Sequence, residues 1–533
     1  MSSAFFSLPD DVESLKALVL EQAERNAQLA ADNVRYQARI FTLTEQLHLA
    51  LARQYAARSE KLSAEQLNLF DEAEADAVSP EATGDEEQDG EGVADTIEIA
   101  AHTRKKRGRK PLPEALPRVE VVHDLAEAER ICPHDGRELK AIGETVCEQL
   151  DIVPAKIQVI RHIRKKYACD CGQCIRTAAL APQPIPKSLA SPGLLAHVAV
   201  SKYTDALPLH RQEQILQRIG VDIPRATLSN WMIRAGALIQ PLVNLLRDAV
   251  LGYDIVQMDE TPVRVLKEPG KSPQSKSYIW VQRGGPPDRP VILYDYDPSR
   301  GGAVPKRLLA GYTGYLQTDG YEGYKSVVQE NGIVHVGCLA HARRRFVDAV
   351  KAQGKGNGKG KQKKAGVAPH ALDLIQKLYR VEKQAKDFTP EERKAYRDTY
   401  ARPVIDKLRA WLDTHRPQVP PKTATGEALK YLADQWDKLV RYLDDGRIAI
   451  DNNLTENAIR PFVLGRKNWL FSDTVKGVGA SANLYSLIET AKANGLEPYA
   501  YLREVFTRLP AAATVEDIEA LLPFNFATNN AAD

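Results

Sequence analysis

"VQMDETPVRV", residues 256–265, decides the fold. Val256, Met258, Val263 and Val265 describe a strand from the interior of a domain, yet Asp259 and Glu260 stand side by side in its middle. Carboxylates are among the side chains least often fully buried, so a core strand carrying two of them needs a reason. Successive residues of a strand point to opposite faces. Asp259 and Glu260 therefore cannot serve one site, and Asp259 is the ligand candidate.

Two more β runs follow, "KSYIWVQRGG" (276–285) and "RPVILYDYDP" (289–298), joined by a Gly-Pro-Pro turn. A short helix, "AVPKRLLAG", leads to the strand "GYLQTDG" (314–320), then to the helix "EGYKSVVQENG" and the strand "IVHVGC" (333–338). Three antiparallel strands, a helix, a fourth strand, a helix and a fifth strand is the order of the ribonuclease H-like fold. On that layout Asp259 and Asp319 sit on neighbouring strands, where two carboxylates stay ionised together only with a cation between them. A third acid is expected from a helix over the sheet, and "IDNNLTENAIRPFVLGRKNWLFS" (450–472) supplies Glu456. Arg460, Arg466 and Lys467 in the same segment are spaced to follow a phosphate backbone. Asn453 and Glu456 also have capping-box spacing, and Pro461 implies a kink or a restart of the helix.

From Asp319 to Glu456 is 137 residues, more than the fold requires. An all-α insertion is therefore expected over 351–445, entered through a Lys/Gly run, with Leu408, Trp411, Trp436 and Leu439 in its core. It divides the sheet domain into 250–350 and 446–490, with a helical C-terminal domain over 491–533.

The net charge of +2 conceals an asymmetry, because residues 71–95 hold eleven acids and no Lys or Arg, leaving +13 on the rest. Basic clusters at 104–110, 161–166, 341–346 and 351–364 suggest a polyanionic partner, though each alone also fits solvated surface. Apolar residues recur at heptad spacing over 10–60, with Leu15, Leu29, Tyr36 and Leu43 at one position and Val19, Ile40 and Leu47 at the other. Asn26 and Asn33 share that second position, where a buried Asn fixes register, so a self-associating coiled coil is expected. An acidic, disordered linker over 71–103 follows. In the basic arm 104–117, Arg107 and Arg109 resemble the Arg-Gly-Arg core that lies along a minor groove; a generic basic linker has the same composition.

Residues 118–185 bring "CPHDG" (132–136) and "YACDCGQC" (167–174) together across a β-like stretch. Cys132 facing Cys169, Cys171 and Cys174 fits a structural Zn²⁺ site in which His134 or Asp135 completes the ligands; Cys147 reads as core. Residues 187–248 are helical, and Leu209–Ala235 has helix-turn-helix character with Arg225, Ser229 and Asn230 facing a groove. A plain αα-hairpin has the same signature. No apolar run approaches the roughly 18 residues needed to span a bilayer, which points to a cytoplasmic, nucleoid-associated protein.

"MDETPVRV", "LQTDGYEGY", "VGCLAHARRRF", "DNNLTENAIRPFVLGRKNWLFSDT" and "ASANLYSLIETAKANGLEPYAYLREVF" resemble the large DDE-type transposase of bacterial insertion-sequence family sixty-six, from about residue 10 to residue 525. The resemblance implies catalytic Asp259, Asp319 and Glu456, an N-terminal zipper, a zinc finger, a helix-turn-helix domain and a short helical C-terminal domain. One departure stands in the first zinc knuckle, where Asp135 replaces the second cysteine of the usual Cys-Pro-x-Cys. Cys338-Leu-Ala-His341 resembles the Cys-x2-His motif of several DDE groups, suited either to holding the sheet-to-insertion junction or to contacting DNA. A buried cysteine and a helix-start histidine would look the same.

The expected chemistry is two-metal phosphoryl transfer, with Mg²⁺ or Mn²⁺ held by Asp259, Asp319 and Glu456. It would cut the element's ends and join the 3′-OH to target DNA. The element's small companion proteins are implied partners, beside a second copy of the chain. Trp469 fits stacking on an unpaired base or ordinary core packing. Two rivals remain: a nuclease of the same fold that does not join strands, and a zinc-containing DNA-binding regulator.

Overall fold

The computed structural model describes residues 11–55, 157–168, 175–352 and 366–530. Helix α1 (Val12–Tyr55) is one uninterrupted rod of 44 residues, and Val19, Leu29, Tyr36, Ile40 and Leu43 along it are exposed. In a separate compact unit, β1 (Lys166–Ala168) and β2 (Ile175–Thr177) form an antiparallel pair with Tyr167 opposite Arg176. Residues 157–165, expected to be β-like, form no strand. Their apolar residues Ile157, Val159, Ile160 and Ile163 lack the period of two that a half-buried strand needs, and all four are exposed. Arg107, Arg109, Cys132, His134, Asp135, Cys169, Cys171, Cys174, the acidic run and most of the Lys/Gly run lie outside the described residues.

In the larger unit, which also includes α1, four helices precede the sheet: α2 (Pro192–Tyr203), α3 (Leu209–Arg218), α4 (Arg225–Leu238) and α5 (Gln240–Leu251). The Ser191 hydroxyl accepts from the Leu194 N–H to cap α2, with Pro192 at its first position. Gly220, at φ +81°, turns the chain between α3 and α4, a backbone region open mainly to glycine.

A five-stranded sheet follows, from β3 (Ile255–Val263), β5 (Ser277–Gly284), β6 (Val291–Asp297), β7 (Tyr315–Gln317) and β8 (Val334–Val336), in the order β6-β5-β3-β7-β8. Strands β3, β5 and β6 are antiparallel, whereas β7 and β8 run parallel to β3. The parallel connections pass through α6 (Ala303–Leu308), a 3₁₀ turn at Glu322–Tyr324 and α7 (Lys325–Asn331). Beyond β8, α8 (Leu339–Ala352) leads into α9 (Val367–Gln384), α10 (Pro390–Tyr400), α11 (Arg402–His415), α12 (Ala424–Asp434) and the short α13 (Trp436–Leu439).

Leu408, Trp411 and Leu439 are buried in these helices, with Trp436 packed beside them. Arg397 holds them together: 1% exposed, it grips Glu382 with two nitrogens at 2.9 and 2.6 Å and donates to the carbonyls of Tyr442, Asp445 and Ile448. The chain leaves the sheet and returns at one place, where the Leu339 N–H donates to the Ile450 carbonyl at 3.2 Å and the Gly337 N–H to that of Lys438 at 2.9 Å.

Helix α14 (Asn453–Trp469) continues through Pro461 without restarting. Strand β9 (Ser472–Thr474) then pairs in parallel with β4 (Val265–Lys267), the continuation of β3. Helix α15 (Val475–Ala493) precedes α16 (Pro498–Arg508), α17 (Val515–Glu519) and α18 (Pro523–Asn530). Residues expected as separate helix-turn-helix and C-terminal domains share one core with the sheet: Leu228, Trp231, Val281, Tyr485, Leu502 and Phe506 belong to a single buried cluster. Close backbone approach joins α4 to α15, since a Cβ on Gly236 would stand 2.6 Å from the Ala480 backbone.

Helix α15 also closes the sheet edge at β6. Ser486, Thr490 and Asn494 rise one turn apart along it, and Tyr294, Ile292 and Pro290 recede two residues apart along the strand. The hydroxyls of Ser486 and Thr490 accept from the N–H groups of Tyr294 (2.8 Å) and Ile292 (3.0 Å), and the Asn494 amide donates to the Pro290 carbonyl (2.9 Å). A helical turn of ~5.4 Å and a strand dipeptide of ~6.6 Å nearly match, so side chains stand in for a sixth strand. Thr490→Val keeps the shape and strips both bonds to Ile292. The variant should lose about 1–3 kcal/mol, seen as a lower urea midpoint with an unchanged slope.

Candidate active site

The parallel register sets Gln257 opposite Gln317, and a strand's alternation puts each Asp two residues on, on the same face as its Gln. The two amides bond in the core, Gln257 Nε2 donating to Gln317 Oε1 at 2.7 Å. Both then reach the segment leading into α14. Gln317 Nε2 donates to the Ala449 carbonyl at 2.8 Å, and Gln257 Oε1 accepts from the Thr455 hydroxyl at 3.0 Å. Sequence reading missed this pair, although "QMD" (257–259) and "QTD" (317–319) repeat the same Gln-x-Asp pattern.

Asp259 therefore sits half-buried on β3, and Asp319 just past β7, where its Oδ1 accepts from the Tyr321 N–H at 2.9 Å. Burial pushes the Asp259 carboxyl well above its ordinary value, and Glu260, Glu456 and Asp319 push it further. Asp259 thus lies within electrostatic reach of both other expected acids. Glu260 faces the opposite side, against Arg300 (2.6 Å) and the Tyr324 hydroxyl (2.9 Å).

Glu456 is 7% exposed, on the first turn of α14. The capping box expected from Asn453 and Glu456 does not form. Asn452 is the capping position, and its amide crosses to the Met258 carbonyl of β3 at 3.3 Å instead of bonding back to its own helix. Asn453 bonds to Asp451. The Glu456 carboxylate turns toward α8, with Arg344 Nη2 3.4 Å from Oε2 and His341 Nδ1 3.6 Å from Oε1. Burial and the Arg344 charge bring the His341 imidazole down to about 4, so it is neutral near pH 7. Cys338 is buried beside them, accepting from the Asn452 N–H at 3.2 Å, and burial holds it as a thiol. On the Asp319 side, His335 is pressed to about 3 by burial, Lys438 and Arg441. Its Nε2 lies 2.8 Å from the Thr318 hydroxyl, which donates to the Asp319 carbonyl.

The insertion contributes a wall that the sequence did not reveal. Tyr431 of α12 packs against Gly320, where an added Cβ would meet its ring at 2.8 Å, and the Arg345 guanidinium lies 4.3 Å above that ring. Tyr431 is itself raised by burial and by Cys338 and Asp319.

The candidate DNA-contacting residues divide. Arg225 and Asn230 are exposed and Ser229 half-buried on α4, whose Leu228, Trp231 and Met232 face the core. Arg460 is half-buried and Lys467 exposed on α14. Arg466 is turned back onto β3, donating to the Thr261 hydroxyl at 3.2 Å and to the Pro262 carbonyl. Trp469 is half-buried, with Lys202 4.2 Å over its ring and Tyr203 edge-on. Among the described residues no helix is long and apolar enough to cross a membrane.

Known proteins resemble this chain along most of its length. Residues 129–172 match the family described as the zinc-finger binding domain of transposase IS66, residues 486–524 the IS66 C-terminal element, and residues 42–121 a family described as Transposase C of IS166 homeodomain. Three uncharacterized proteins of Sinorhizobium fredii, y4qI, y4jD and y4hP, are 33%, 32% and 29% identical to it. The alignments cover 97%, 99% and 92% of this chain and 98%, 98% and 88% of theirs. Residues 187–480, more than half the chain and the stretch holding all three acids, match the model described as Transposase IS66 family, and the chain belongs to that family.

Proposed function

We propose that this chain is the strand-cleaving and strand-joining subunit of its element, working from a ribonuclease H-like core through Asp259, Asp319 and Glu456. The observation that carries the reading is the convergence of three carboxyls from two adjacent parallel strands and one helix, with Asp259 raised by burial, by Glu260 and by the other two. The strand order β6-β5-β3-β7-β8 supports the fold assignment.

An all-oxygen donor set in a half-buried setting fits hard divalent cations, two Mg²⁺ or Mn²⁺ ions, with Asp259 shared and Asp319 and Glu456 each holding one. Bound there, such ions would activate first water and then the 3′-OH, and would neutralise charge on the phosphate under attack. The protein's own part is positioning. The Gln257–Gln317 pair sets the two aspartates, and Asn452 sets the start of the helix bearing Glu456. Arg460 and Lys467 lie along that helix to follow the scissile strand. Arg345, stacked on Tyr431, offers a cation beside Asp319. Arg225, Ser229 and Asn230 read duplex DNA at the element ends, helped by the arm holding Arg107 and Arg109 and by a zinc finger built on Cys132, Cys169, Cys171 and Cys174 with His134 or Asp135. Exposed Val19, Leu29, Tyr36, Ile40 and Leu43 support pairing of α1 with a second copy.

Cleavage of a labelled duplex bearing the element end tests this reading. Metal-dependent 3′-OH formation at the boundary should vanish in Asp319→Asn and Glu456→Gln while duplex binding persists; cleavage surviving in both removes the triad. Arg345→Ala should slow cleavage roughly two- to thirtyfold at unchanged duplex binding, by loss of an anchored cation. A third outcome concerns pH. The folded Asp259 pKa lies above the ordinary 3.8, so between those values the folded state binds more protons and stability falls as pH rises. Mg²⁺ or Mn²⁺ should therefore raise the melting temperature more at neutral than at acid pH, and Asp259→Asn should abolish that difference.

A further inference from the structure

The proposed catalytic centre leaves a second donor set unexplained. Cys338 sits where β8 gives way to α8, His341 lies one turn along, and Glu456 arrives from α14. One ligand atom from each lies within 4.8 Å of the other two. These donors are soft, borderline and hard, a mixture that hard Mg²⁺ does not select and Zn²⁺ accepts.

We propose that Cys338, His341 and Glu456 form a binding site for a thiophilic divalent cation, Zn²⁺ above all. The Glu456 carboxylate is divided for it: Oε2 leans on Arg344 at 3.4 Å, whereas Oε1 faces His341 Nδ1 at 3.6 Å. That imidazole nitrogen is buried and has no hydrogen-bond partner. The sulfur is held as metal-bound sulfurs are, by a backbone N–H, here from Asn452 at 3.2 Å. Tetrahedral zinc with bonds of about 2.0–2.3 Å sets its ligands roughly 3.5 Å apart, within reach of small side-chain adjustments. Binding replaces the thiol proton with an S–Zn bond and releases that proton to the buffer. Water or a fourth side chain completes the shell.

The site itself rests on three side chains and not on what Glu456 does to DNA. One consequence does rest on the strand-cleavage reading: a Glu456 engaged by zinc is withdrawn from Asp259 and Asp319, so zinc opposes Mg²⁺ at the catalytic centre.

Metal content of the full-length protein, refolded in zinc and freed of loose ions by gel filtration, tests the proposal. Wild type should carry about one zinc per chain more than either Cys338→Ser or His341→Ala, because each variant loses a ligand. Cobalt-substituted wild type should show a thiolate-to-cobalt absorption component that Cys338→Ser lacks. Equal zinc content and superimposable cobalt spectra across the three proteins overturn the site. His341→Ala decides the matter if the buried cysteine variant does not fold, since His341 is 23% exposed. The zinc difference with no DNA cleavage in Mg²⁺ by wild type or by the zinc-poor His341→Ala variant would defeat the strand-cleavage reading alone; cleavage without the zinc difference would defeat this site alone.

Discussion

Two side-chain amides in the core, Gln257 and Gln317, fix the geometry on which the site depends. A buried polar group without a partner costs about 1–3 kcal/mol, so each amide is obliged to find the other and to find the backbone around it. Only one register of β3 against β7 satisfies both. A slip of either strand by one residue would turn its own aspartate to the opposite face, away from the other. The same pair collects Ala449 and Thr455, so the register of two strands also sets the entry of the helix that brings the third carboxyl.

Electrostatics pulls against that arrangement. Burial and mutual repulsion disfavour charge on Asp259, while Glu260, its neighbour in sequence, is compensated by Arg300 and Tyr324. Both adjacent acids are pushed up, Glu260 by burial and by Asp319, but Glu260 has the Arg300 guanidinium and the Tyr324 hydroxyl against it while Asp259 faces other carboxyls. Polar groups gathered without compensation are where a fold accepts strain for a task. The helix bearing Glu456 is held against the strain at both ends: Asn452 ties its start to Met258, and β9 ties its exit to β4.

Much of this was legible in the sequence because the relevant signals are local. Apolar runs separated by turns gave the five strands in order, and an acid in the middle of an apolar strand marked the site. The length of the gap before Glu456 announced helices between β8 and α14. What escaped depends on contacts between distant segments. Asn453 and Glu456 had the spacing of a capping box, but Asn452 took the capping position because the Met258 carbonyl lay across from it. Arg466 had the spacing of a DNA contact, and its bonds to Thr261 and Pro262 on β3 were not foreseen. Tyr431 lay 112 residues from Asp319, with nothing in its own surroundings to mark it. The helices of 187–248, expected as a domain of their own, meet α15 where Gly236 lets the two backbones touch at Ala480.

The insertion leaves and rejoins the sheet at a single stem, where Leu339 bonds to Ile450 and Gly337 to Lys438. Topologically it is a side branch: the main path from β8 to α14 is already closed without it. The entropy of closing a loop grows only with the logarithm of its length, and here the ends are pinned by backbone bonds. Length can therefore change in the insertion beyond α8 with little effect on how Asp259, Asp319 and Glu456 meet, provided α8, Tyr431 and the Arg397 clamp survive. The branch is the part of this architecture most open to divergence, a place where relatives can remodel the surroundings of the candidate site while the sheet and its three acids stay fixed.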